Sequence, residues 1–246
     1  VYDGSPLTAS GKVEGLVEGD ATFTVTGTIT NEGTETNTYE LKWVGNKADN
    51  YNITENLGKL TIIAQSIDPD DQPDPDDPNK PTYNGVWISD APSSVIYDGH
   101  SHQWAPTVLD KENGNALTYG EDYSVTYTDE AGNEVTDFTN VTGKIIVTVT
   151  GKGNYTGTVT KSFEIAKADI SSATISDIDS PVGYTGTAYE PEVTVTFNGT
   201  ELALDTDYTV AYTNNVNAGE ATVTITGTGA HFKGSVEKHF TITAAD

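Results

Sequence analysis

Residues 95–104, VIYDGHSHQW, bring together side-chain types that catalytic and metal-binding sites draw on: Tyr97, Asp98, His100, His102 and Trp104. A carboxylate beside an imidazole can relay protons. Two histidines at i and i+2 leave the same face of an extended strand, where they can hold a metal ion. A zinc ion would need a third or fourth ligand, and the other histidines, His231 and His239, fall in another part of the chain. Only carboxylates remain to complete such a site. His100 and His102 stand as the metal candidate, against the plainer expectation of an exposed polar strand with no metal and no cofactor.

The chain supplies its own control for Asp98. Tyr97-Asp98-Gly99 corresponds to Tyr2-Asp3-Gly4 and to Tyr184-Thr185-Gly186. A proton-transfer aspartate cannot be exchanged for threonine between units that share a role. A turn-former can, because both side chains accept hydrogen bonds from the backbone while glycine supplies positive φ. The tyrosine then reads as a packing residue. Continuing without gaps, His100 and His102 match Ser5 and Leu7, and Thr187 and Tyr189, so the histidine pair belongs to one copy alone.

The elements that position these turns are strands. TYELKWVGNKADNYNI (38–53), GKIIVTVTGKGNYTG (143–157) and EATVTITGTGAHFKG (220–234) share an alternating pattern that stops at Gly45, Gly151 and Gly227. Tyr39, Leu41 and Trp43 align with Ile145, Val147 and Val149 and with Ala221, Val223 and Ile225, which predicts one apolar face per strand. Trp43 is thereby expected in the core. EDYSVTYTDE (121–130) parallels TDYTVAYTNN (206–215), and Leu60, Ile62, Phe163, Ile165, Phe240 and Ile242 are expected to point inward on the final strands. Asn113-Gly114 and Asn198-Gly199 mark hairpins. No helical period appears.

Short strands punctuated by turns at this repeat length predict an all-β chain of three small Ig-like β-sandwich modules in tandem, the first lacking its N-terminal strand. The expected divisions are 1–65, a Pro/Asp-rich linker at 66–82, then 83–167 and 168–246. Between Ser66 and Pro81 lie five prolines and six aspartates, a composition that favours an extended spacer. Asn154-Tyr155, Asn50-Tyr51 and His231-Phe232 are equivalent and are expected to anchor a turn.

Composition narrows the function classes. With 37 acidic and 12 basic residues the formal charge is −25, which repels nucleic acid and anionic lipid. There is no cysteine, hence no disulfide and no thiolate chemistry, and no methionine. No apolar run is long enough to insert into a membrane. No nucleophile with a base, and no carboxylate pair, recurs outside the structural registers, so no enzyme is expected.

VYDG with GTETNTYELKWVGNKADNYNIT and GKLTI resembles the YDG-type, or MBG, repeats of bacterial surface proteins. The segments IYDG, DYSVTY and GKGNYTG, and GYTG, DYTVAY and GTGAHFKG, are similar to their Ig-like relatives in large adhesins. The resemblance implies an extracellular place on the bacterial surface or cell wall, a stalk or spacer role, neighbouring repeats as partners, and a monomer. The alternative is a module that binds carbohydrate or host glycoproteins such as mucins through Trp87, Trp104 and Tyr97, since exposed aromatic faces stack on sugars. A lysine–asparagine cross-link is not expected, because the last strands, GKLTII, TVTKSFEIA and SVEKHFTIT, hold no asparagine.

Overall fold

The computed structural model describes residues 1–68, 86–111 and 114–245. The fold is all-β. Among the described residues the only helical segments are single 3-10 turns at Lys47–Asn50 and Ile170–Ser172. Thr and Val dominate the long strands Lys144–Gly151, Thr158–Ala166, Gly219–Gly227 and Ser235–Thr243, where β-branched side chains suit the pleat.

The alternation seen in the sequence holds in space. Ile145, Val147 and Val149 are buried, as are Ala221, Val223 and Ile225, and so are all six expected inward residues of the final strands. Two four-stranded sheets have one order. The first runs Val95–Ile96, Thr158–Ala166, Lys144–Gly151, Tyr123–Thr128; the second runs Val182–Gly183, Ser235–Thr243, Gly219–Gly227, Tyr208–Thr213. The Asn198-Gly199 turn has φ of 47° and 83°, the two left-handed residues of a tight hairpin, and joins Val195–Phe197 to Thr200–Glu201.

Contacts divide the chain into two compact units. One comprises Val1–Asp90, Ala105–Thr126 and Thr148–Thr160. Its main core gathers Ile67, Val86, Ile88, Val108, Leu117, Tyr123, Val149 and Tyr155, and a smaller one holds Ile29, Leu60 and Ile62; Tyr2 packs against both. The other unit comprises Ala91–Trp104, Tyr127–Val147 and Lys161–Asp246. Its largest core runs from Ala168 and Ile170 through Val195, Tyr208, Val223 and Phe232 to Phe240, and Tyr97 packs against it.

Two expectations need correction. Trp43 is only half-buried. Its strand, Tyr39–Trp43, pairs with Ala21–Val25 in a sheet of two strands, so the inward face is partly covered and Trp43 instead packs on Tyr51 at 5.0 Å. The expected linker also begins too early. Gln65–Ser66 is a strand, and Gln65, Ser66 and Ile67 are fully buried. From residue 69 onward the expected linker lies outside the described residues, as does Asn113.

Hydrogen bonds repeat at matched positions. The amides of Tyr2, Tyr97 and Tyr184 donate to the carbonyls of Ile63, Ala166 and Thr243 at 2.8, 2.8 and 2.9 Å. Leu7, His102 and Tyr189 donate to Ile29, Phe138 and Asn215 at 2.7, 2.8 and 2.9 Å. The gap-free alignment that set His102 beside Leu7 and Tyr189 is therefore a geometric equivalence. Tyr123 and Tyr208 likewise send their hydroxyls to the carbonyls of Pro106 and Val193.

Candidate functional site

Each tyrosine turn is built by the residues that follow it. Asp98 Oδ1 accepts the His100 amide at 2.8 Å, and Asp3 Oδ1 accepts the Ser5 amide at 2.8 Å, closing the same small ring. Gly4, Gly99 and Gly186 have φ of 82°, 85° and 78°, the left-handed conformation that glycine alone adopts freely. In the third copy, Thr185 Oγ1 lies 3.0 Å from Thr187 Oγ1 instead.

His100 and His102 do not ride on a strand. They sit in the irregular segment after the turn, and both approach one oxygen: His102 Nε2 is 2.8 Å and His100 Nδ1 is 3.5 Å from Asp98 Oδ1. The strand expectation failed because Gly99 turns the chain just before them. The His100 amide, helped by both imidazoles and against the opposing effect of burial, holds the Asp98 carboxyl below its usual range. Such a group stays ionised at neutral pH, the reverse of what a general acid needs. Among the described residues, no three His, Asp or Glu side chains are grouped to hold a metal ion.

The carboxylates nearby are used in the same way. Asp137 accepts the amides of Thr139 and Asn140 at 2.8 and 3.2 Å and the Asn140 side chain, chiefly the Thr139 amide lowering its pKa. It borders an open recess of about 420 Å³ with Ser101, Gln103, Tyr127, Glu134 and Phe138. Tyr127 gives its hydroxyl to the Trp104 carbonyl and meets Phe138 edge-on at 4.9 Å. The recess offers acceptors and an aromatic wall, with no activated nucleophile.

The three aromatic candidates have different surroundings. Trp87, on Val86–Ile88, is 44% exposed. Trp104 is half-buried and belongs to the other compact unit. Tyr97 is taken up by packing. It stacks on His231 at 4.4 Å, lies parallel to Phe197 at 6.3 Å, and meets Phe232 edge-on at 5.8 Å and 89°. Tyr2 meets Tyr155 in the same edge-on way, at 5.6 Å and 78°.

Beside each of these aromatic pairs the backbone is locked in one pattern. Gln65–Ser66 pairs in parallel with Tyr155–Thr156, and Ala168–Asp169 pairs in parallel with Phe232–Lys233. The Gln65 and Ala168 amides donate to the Asn154 and His231 carbonyls, both at 2.9 Å. Asn154 Oδ1 also accepts the Glu32 amide at 2.7 Å, and Asn198 Nδ2 donates to the Asp98 carbonyl at 3.1 Å. Burial, and after it Asp110, push the Tyr155 hydroxyl up, as expected of a phenol kept neutral in a core. Sequence reasoning assigned the tyrosines to packing and Tyr155 and Phe232 to a turn, but missed that they meet. The signal was the matched order of YDG-type tyrosine, junction strand and Asn-Tyr or His-Phe along the chain.

Set beside known families and curated proteins, the chain matches no family model and no curated sequence.

Proposed function

We propose that the chain is a non-enzymatic stalk or spacer segment of a bacterial cell-surface adhesin-like protein, built of tandem Ig-like β-sandwich modules of the YDG/MBG type. The observation that carries this reading is the twice-repeated joint: a YDG tyrosine edge-on to an aromatic, beside a two-residue parallel strand pair. A spacer needs its neighbours fixed in register and needs no cleft. In VIYDGHSHQW, Tyr97 is spent on that joint and Asp98, with His102 beside it, on a turn. The charge of −25 suits a solvated surface protein that avoids nucleic acid and membranes.

A second reading, a module that binds carbohydrate or host glycoproteins, is favoured by one feature, the exposed indole of Trp87. A glycan array and a mucin-binding assay on the whole chain separate the two. The stalk reading expects no saturable binding. Saturable binding lost on Trp87→Ala or Trp104→Ala replaces it with the binding module.

A further inference from the structure

The third tyrosine turn has the backbone of the other two and lacks their aromatic neighbour. The Tyr184 amide is bonded to Thr243 and Gly186 has the same left-handed φ, yet Tyr184 is 42% exposed, and no ring contact to it occurs among the described residues. Tyr2 and Tyr97, at the equivalent places, are packed edge-on against Tyr155 and Phe232.

The strand beside Tyr184 repeats the pattern. Ile242-Thr243-Ala244-Ala245-Asp246 aligns with Ile165-Ala166-Lys167-Ala168-Asp169 and with Ile62-Ile63-Ala64-Gln65-Ser66. Gln65 and Ala168 are buried by their parallel partners, at 2% and 1% exposure, whereas Ala244 and Ala245 are exposed. A ring and a backbone edge that are covered together twice in one chain are bare together here.

We propose that Tyr184 and the Ala244–Ala245 backbone form a docking surface for another β-repeat of this same type. The incoming repeat sets a Tyr or Phe, at the place of Tyr155 and Phe232, edge-on to Tyr184. Its adjoining two-residue strand pairs in parallel with Ala245, and the carbonyl at the place of Asn154 and His231 accepts the Ala245 amide. This rests on the tandem-array reading and specifies the partner of one face.

The test appends a second copy of residues 170–246 directly after Asp246, which recreates the Ala-Asp-Ile-Ser-Ser junction found at Ala168–Ser172. Tyrosine nitration by tetranitromethane, mapped by mass spectrometry, reads the exposure of Tyr184. Its rate should fall by about five-fold or more in the extended chain, because a seated ring reacts only through openings of the joint. Phe232→Ala in the appended copy should restore it, and the Ala245 amide should gain hydrogen-exchange protection only when that phenylalanine is present. Nitration of Tyr184 at the parent rate behind a folded appended copy overturns the proposal. So does an appended copy that stays unfolded, since the same residues fold behind Asp169, where Tyr97 provides the seat. Glycan binding by the parent chain would overturn the spacer reading without moving Tyr184 reactivity, so the two failures are distinguishable.

Discussion

Gly151→Ala should damage the protein far beyond the size of a methyl group. Gly151 ends the strand Lys144–Gly151, and its amide donates to the Gly157 carbonyl at 3.0 Å. A Cβ there would lie 2.7 Å from the Thr156 nitrogen and 2.9 Å from both its Cα and its carbonyl carbon. Ordinary contact between carbons begins near ~3.5 Å, so the methyl intrudes by about 0.6 Å or more on backbone that has no rotamer to change. Thr156 cannot retreat freely, because its carbonyl accepts the Ile67 amide at 2.8 Å beside the parallel pair with Ser66. Overpacking of this kind costs about 1–3 kcal/mol, and weakening the Ile67 bond adds about 1 kcal/mol, so the expected loss is about 2–4 kcal/mol. Gly45, its sequence equivalent, has φ of 57° and open space around its Cβ position. Gly45→Ala should therefore cost only the left-handed strain, about 1 kcal/mol. Native-state hydrogen exchange at the Ile67 amide is the appropriate assay, because a chain of more than one compact unit need not melt in one step. Gly151→Ala should lower protection there by about thirty-fold or more at ~1.4 kcal/mol per tenfold, and Gly45→Ala by about five-fold at most. A Gly151→Ala protein as stable as Gly45→Ala would refute the close-approach argument.

Asp98→Ala should cost about 1 kcal/mol, the net worth of the bond to the His100 amide, and Gly99→Val should cost more, since a β-branched residue is strained at φ of 85°; equal, negligible losses in urea titrations would remove the turn assignment. The Asp98 carboxyl is held below its usual range, so its stabilising charge is fully present above the ordinary aspartate range and is lost as pH falls through its lowered folded value. The stability difference between the parent and Asp98→Asn should thus shrink on acidification, and a difference that grows toward low pH would contradict this sign. Tyr97→Ala removes a half-buried ring from a cluster with Phe197, His231 and Phe232 and should cost about 2–3 kcal/mol, read as lost exchange protection at the Ala168 amide. Unchanged protection there would show that the ring does not brace the junction strand.

How far the sequence was legible depended on whether a feature is local. The inward residues of the long strands could be read from period two, because a strand covered on one face sorts its side chains by alternation, and Phe163, Ile165, Val223 and Ile225 are all buried. The turn at Asp98 was legible from its siblings, since threonine in one copy excludes proton transfer. Trp43 was misplaced because alternation says which way a side chain points and nothing about what lies opposite. The Gln65–Ser66 strand was hidden by the Pro/Asp-rich composition that follows it, which drew the linker boundary too early. The meeting of Tyr97 with Phe232 was illegible for a further reason: it joins residues far apart in sequence, and no local pattern encodes a long-range pairing.

The parallel joints have a mechanical consequence. Ala168–Asp169 lies parallel to Phe232–Lys233, and Val182–Gly183 lies parallel to Ile242–Thr243. When two parallel strands are pulled from opposite ends of the chain between them, they slide past each other, so their hydrogen bonds carry the tension in shear and share it. Antiparallel strands joined by a turn would instead peel one bond at a time. With the Tyr184 amide bonded to Thr243 and the Ala168 amide to His231, traction along the chain loads these clamps in shear together with the Ser235–Thr243 strand that carries one of them. A few short parallel contacts thus add bonds loaded in shear at the places where tension enters, and the long antiparallel pair shares that load with them.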